Sequence, residues 1–130
     1  MTSSSIRRQS IPGVGTPEYP FSHIVMDDRY AFLSGIVAGD LAGGREVHGD
    51  IARETELVMT AIRDALKGIG LGMDRIVRVD VHMTDISRIG EMDAEYRKFF
   101  DGGHYPTRTC TETGGLAEGS NVEITVMARL

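Results

Sequence analysis

The sequence predicts an α+β domain in which two helices pack on one face of a mixed β-sheet, and three observations carry that expectation. Ile51, Thr55, Val58, Ile62, Ala65, Leu66 and Ile69 recur at three-to-four-residue spacing, the period of a helix with one buried stripe. Ile76 to Met83 alternates with the period of a strand, Val77, Val79, Val81 and Met83 on one face and Ile76, Arg78, Asp80 and His82 on the other. Strand-like segments open and close the chain, giving the order β-β-(β)-α-β-α-β-β.

Taken in order, residues 1–20 read as an extended or flexible lead-in, because Pro12, Gly13, Gly15, Pro17 and Pro20 punctuate them, and a single domain fills 21–130. The Ser- and Arg-containing start lacks the apolar stretch of a secretory signal, so a frayed tail is preferred to an organellar presequence. Ser22–Met26 and Arg29–Ser34 flank Asp27-Asp28 as a hairpin, and Gly35–Ala38 can extend it. Four glycines between Gly39 and Gly49 mark a loop. Asp50 caps the first helix, and Gly68 and Gly70 stop it. The second helix is expected from Ser87 to Phe100, capped by Asp85 or Ser87, with Ile89, Met92, Tyr96 and Phe99 buried. Gly102 and Gly103 end it. Two strands follow, read as neighbours.

Composition narrows the function classes. A chain of 130 residues is one domain that buries roughly 65–70% of its unfolded surface. No apolar run approaches the roughly 20 residues of a membrane span. A net charge of −5 without a basic stripe argues against nucleic acid. One cysteine, Cys110, excludes an internal disulfide, the histidines His23, His48, His82 and His104 lack metal-ligand spacing, and a cytoplasmic location is the default. No metal site is expected. A sheet with one uncovered, Val-rich face suggests burial against other subunits in a closed ring.

The chemistry concentrates in the last quarter. Arg108, Cys110 and Glu112 share one strand face, as do Glu123, Thr125 and Met127, so pairing of the two strands would bring Arg108 and Glu123 close. From the residues alone a salt bridge worth roughly 0–1 kcal/mol is the commoner meaning of such a pair. The other is a site: guanidinium holds a carboxylate with two parallel bonds, and a carboxylate orients or deprotonates water. Cys110 lacks His and acid partners at a nucleophile's spacing, and Asp93 reads as a surface ion pair with Arg97.

The segments His104-Tyr105-Pro106-Thr107-Arg108-Thr109-Cys110-Thr111-Glu112 and Val122-Glu123-Ile124-Thr125-Val126-Met127-Ala128 resemble the C-terminal signature of the reactive-intermediate deaminase family (RidA/YjgF, also called endoribonuclease L-PSP). Ser34-Gly35, Gly49-Asp50-Ile51, Tyr96 and Phe99-Phe100 agree in order, so the resemblance covers about residues 18–130. It implies a chorismate-mutase-like fold and a homotrimer with active sites between subunits. It also implies cofactor-free hydrolysis of 2-imino acids or their enamine tautomers to 2-keto acids and ammonia. On this likeness Arg108 clamps the substrate carboxylate, Glu123 positions water, the Cys110 backbone helps hold substrate, and Ser34 and Gly35 line the pocket. Three pocket positions depart from the family pattern: Phe21 stands for a tyrosine, Ile36 for a glutamine and Asp93 for an asparagine. They suggest a larger or less polar substrate. The alternatives are a deaminase for 2-aminomuconate, a small-carboxylate-binding trimer without catalysis, and a ribonuclease.

Overall fold

The computed structural model describes residues 5–14 and 18–130. Among them, strands β1 (Arg7–Gln9), β2 (Ile24–Met26), β3 (Tyr30–Leu33), β4 (Ile36–Val37), β5 (Ile76–Met83), β6 (Thr107–Glu112) and β7 (Val122–Arg129) form one sheet. Its order is β1-β2-β3-β7-β5-β6, with β4 also paired to β7. Only the β5–β6 pair is parallel, and the chain crosses between those strands through helix α2 (Ile89–Tyr96). Helix α1 (Ile51–Gly68) packs against β7, β4 and α2, so both helices cover one face of a mixed sheet, as expected for the α+β class.

Helix α1 follows its sequence pattern. The Asp50 carboxylate accepts from the Arg53 N–H at 3.1 Å, capping the first turn, and Gly70 takes φ +82° just past the end. Its buried stripe is Ile51, Glu54, Thr55, Val58, Met59, Ile62, Ala65 and Leu66. These meet Val79, Val81, Met83, Val122, Ile124, Val126 and Ala128 from the central strands in one core cluster. The buried glutamate is the exception in that stripe, its carboxylate held by Gly49 just before the helix and by Asn121, 67 residues away.

Three expectations need correction. Residues 7–9 are not structureless: they pair antiparallel with β2, and beyond them Ile11 is buried in the core; Gly15 and Pro17 lie outside the described residues. In β5 a bulge between Ile76 and Arg78 shifts the register, so Ile76 faces the core while Val77 is exposed. The second helix is not one uniform element. Tight 3-10 turns at Ile86–Arg88 and Arg97–Phe99 flank a short α2, with Asp85 capping through the Ser87 N–H. The tighter terminal turn carries Phe100 into the core, and Phe99 instead lies under Arg63, whose guanidinium is 5.4 Å from its ring centre.

Candidate active site in two halves

Sheet register fixes where the C-terminal signature points. Arg108 pairs with Val79 and Cys110 with Val81, both buried toward the helices, so Arg108 and Cys110 share that face. Glu123 pairs with His82 and Thr125 with Asp80, on the open face. Strand β5 lies between β6 and β7. Arg108 and Glu123 of one chain are therefore not neighbours: a strand separates them and they project from opposite faces, which overturns the expectation of a direct pair. The cause is the parallel β5–β6 crossover, which places β6 at the sheet edge and leaves β7 to enter on the other side of β5.

Each residue instead belongs to its own cavity. Asp93, Tyr96, Arg97, Tyr105, Pro106 and Arg108 line one of about 270 Å³ at the sheet edge. Here the Arg108 Nη1 donates to Asp93 Oδ1 at 2.6 Å, so Asp93 engages Arg108 and not Arg97. Burial works against the charged form of Arg108, but the hydrogen bond and charge of Asp93 outweigh it and hold the guanidinium above its ordinary range. Its Cζ stands 5.0 Å from the Tyr96 ring centre, a cation–π contact. Burial pushes the Tyr96 hydroxyl up to about 12; Arg108 pulls it down, and Asp93 and Tyr105 add to the rise. That buried hydroxyl has no hydrogen-bond partner among the described residues. Cys110 lies partly buried beside this half, its thiol raised by burial, lowered by Arg108 and raised again by Asp93. A thiol held in its neutral form is a poor nucleophile.

The second cavity, about 630 Å³, gathers Phe21, Ser34, Gly35, Ile36 and Glu123. A break between β3 and β4 at Ser34-Gly35 makes this half. The Ser34 hydroxyl donates to the Ser22 carbonyl at 2.6 Å, tying the segment that bears Phe21 to the sheet. A Cβ on Gly35 would stand 2.8 Å from Glu123 Cδ and 2.9 Å from Thr125 Oγ1, so the glutamate lies directly over the glycine. Phe21 is half exposed, while Ile36 is 4% exposed and contributes mainly to the core.

Sequence reasoning missed other residues of this cavity. His23 is buried, and its Nδ1 accepts from the Ile11 N–H at 2.8 Å, which puts the proton of the neutral ring on Nε2. Asp40, Arg45 and Glu118 form a charged rim in which Arg45 and Glu118 pair at 2.5 Å. Burial raises the Asp40 carboxyl and Glu118 adds to this, against Arg45 and His23. Glu118 holds φ +59°, a conformation that L-residues rarely adopt. A lone histidine and an ion pair spanning 73 residues leave no signature in the sequence. Among the described residues no three His, Cys, Asp or Glu side chains are grouped to hold a metal ion, and no helix is long and apolar enough to cross a membrane.

A family model described as endoribonuclease L-PSP matches residues 14–130. The 2-iminobutanoate/2-iminopropanoate deaminase of Bos taurus is 30% identical over 127 residues, spanning 96% of this chain and 92% of the relative. Protein DfrA of Myxococcus xanthus is 32% identical over 111 residues, 84% of either chain. A crystal structure of a putative endoribonuclease L-PSP from Entamoeba histolytica superposes with a TM-score of 0.86 at 25% identity, covering 97% of this chain and all of the other. With the matched signature spanning both half-sites, this chain belongs to the endoribonuclease L-PSP family, the reactive-intermediate deaminase (RidA/YjgF) family that its C-terminal strands resemble.

Proposed function

We propose that the protein is a hydrolytic deaminase of 2-imino acids, or of the enamines in equilibrium with them, and that it works as a ring of subunits. In that ring the Arg108 half-site of one chain faces the Glu123 half-site of the next. The observation that carries this reading is the separation of two complementary groups, the Arg108 guanidinium in one cavity and the Glu123 carboxylate in the other. Neither half suffices alone. The names borne by relatives at about 30% identity supply the reaction class. A homotrimer, as the resemblance implies, satisfies the geometry with one interface repeated three times.

The chemistry asks little of the protein beyond placement. Arg108 anchors the carboxylate, which fixes the adjacent C2 against the opposite wall. Glu123 orients a water and takes a proton as its oxygen adds to C2. The resulting carbinolamine collapses to the keto acid, and the nitrogen leaves as ammonia carrying the proton. Removing charge-assisted hydrogen bonds worth about 1.5–3 kcal/mol, Arg108→Ala lowers kcat/KM about 10- to 150-fold. The assay generates 2-iminobutanoate in situ and follows ammonia, then repeats the measurement with 2-aminomuconate. An unchanged rate in Arg108→Ala sinks the assignment.

Gly35→Ala tests the other half. The added methyl meets only side-chain atoms, those of Glu123 and the Thr125 hydroxyl, so it displaces the Glu123 side chain, turns Thr125 and leaves the backbone in place. The expected result is a kcat about 10- to 100-fold lower with an almost unaltered melting temperature. A matching loss of stability and rate would mean instead that Gly35 serves only the fold.

One observation favours a second reading, a trimer that binds small carboxylates without turnover: Arg108 is already engaged by Asp93. Saturable keto-acid binding with no ammonia release from either substrate would select it. Ribonuclease activity draws no support from a chain of net charge −5, and RNA cleavage surviving both Arg108→Ala and Glu123→Ala would mark a contaminant.

A further inference from the structure

Asp93 takes only part of the Arg108 fork. Nη1 donates to Oδ1, while Nε and Nη2 of the arginine and Oδ2 of the aspartate have no hydrogen-bond partner among the described residues. Both side chains line the same cavity and keep about a quarter to a third of their surface exposed, so a ligand reaches each of them. A second observation also points to a ligand. Tyr96 lines this cavity although only 4% of it is exposed, and its buried hydroxyl too lacks a partner among the described residues.

We infer that Asp93 is a specificity-determining residue, which with Arg108 forms a charge pair selecting acids that carry a cationic nitrogen beside the carboxylate over acids that lack one. The selected class is the iminium or ammonium form of a 2-imino or 2-amino acid. This rests on the reading of Arg108 as the carboxylate clamp. A plain 2-keto acid placed on the free edge of Arg108 sets a second carboxylate beside that of Asp93, with one guanidinium shared between two anions. A nitrogen cation at C2 changes the balance, because it stands next to the ligand carboxylate and meets the free Asp93 oxygen. Each charge then has an opposite partner. Arg97 on the same wall keeps the cavity net positive with Asp93 ionised, so the first carboxylate is still attracted. The Tyr96 ring, its centre 5.0 Å from the Arg108 Cζ, backs the guanidinium that receives it. The arrangement favours the protonated imine, the more electrophilic form toward water, and weakens retention of the keto acid product.

The test compares 2-aminobutanoate with 2-oxobutanoate, probes that differ only at C2, by calorimetric titration of the intact assembly at neutral pH. In the unaltered protein the amino acid binds the more tightly. Asp93→Asn, close in shape, tightens the keto acid and weakens the amino acid, so the ratio of their Kd values moves about tenfold or more toward the keto acid. Asp93→Ser repeats the comparison with no amide in place, and melting temperatures establish that both variants fold. A ratio that stays within about twofold while both probes still bind overturns the role of Asp93 and leaves the Arg108 clamp standing. Binding of neither probe to the unaltered protein overturns the clamp as well.

Discussion

Refolding Arg108→Ala chains together with Glu123→Ala chains restores activity to about one quarter of the unaltered level, although each variant alone is nearly inactive. The expectation follows from the sheet, where Arg108 and Glu123 of one chain lie on opposite faces with β5 between them. On the proposed ring of subunits, a complete site takes its arginine from one chain and its glutamate from the next. Alone, Arg108→Ala costs about 10- to 150-fold, and Glu123→Ala removes general-base assistance worth about 10²–10⁴. In an equal mixture half the chains retain Arg108 and half retain Glu123, so about one interface in four pairs intact partners in a cyclic ring. Activity should rise with subunit exchange and not before it. Activity that stays at the average of the two parents would place both residues' work within a single chain and remove the shared site. Because both parents enter the same mixture, an ordinary loss of stability cannot imitate the gain.

The parts of this arrangement legible in the sequence were those that repeat with a local period. Helix α1 declared itself through its cap and stripe, and the alternation of β7 correctly put Glu123 and Thr125 on one face. What the sequence did not reveal was which strands are neighbours. Alternation assigns a side chain to one of two faces, but the choice of face relative to another strand depends on register and order, and here β5 intervenes between β6 and β7. The bulge at Val77 hid for a related reason, since one extra residue preserves local composition while reversing the face. The cavity around Gly35 could be expected only from the family resemblance. Its glycine matters because of Glu123, 88 positions later, and nothing between them signals the contact. Four-residue spacing pairs Asp93 with Arg97 on paper, whereas its partner Arg108 lies on another element, which no local period reveals.

Glu54→Ala is expected to destabilise the fold by about 3–5 kcal/mol, a large share of the roughly 5–15 kcal/mol typical of a domain. Glu54 is fully buried in the helical stripe, at a position where periodicity asks for an apolar residue. Its carboxylate accepts from the Gly49 N–H at 2.8 Å, the Asn121 N–H at 2.8 Å and the Asn121 Nδ2 at 2.9 Å. One side chain thus joins the turn before α1 to the entry of β7. Truncation leaves these donors without an acceptor and opens a void beside the core, and each stripped donor costs about 1–3 kcal/mol. Glu54→Gln should cost less, about 1.5–3 kcal/mol, because one oxygen still accepts while the amide group faces donors. Urea unfolding of both variants and the unaltered protein at one protein concentration measures the losses, the shared concentration keeping the mass-action contribution of subunit association the same in each. A loss below about 1 kcal/mol for Glu54→Ala would mean that water takes over all three bonds. The effect also reaches the site, since Asn121 stands two residues before Glu123. If Glu54 sets that strand's entry, Glu54→Gln loses kcat well below its melting temperature, and the half-site that holds water depends on a carboxylate that never meets the substrate.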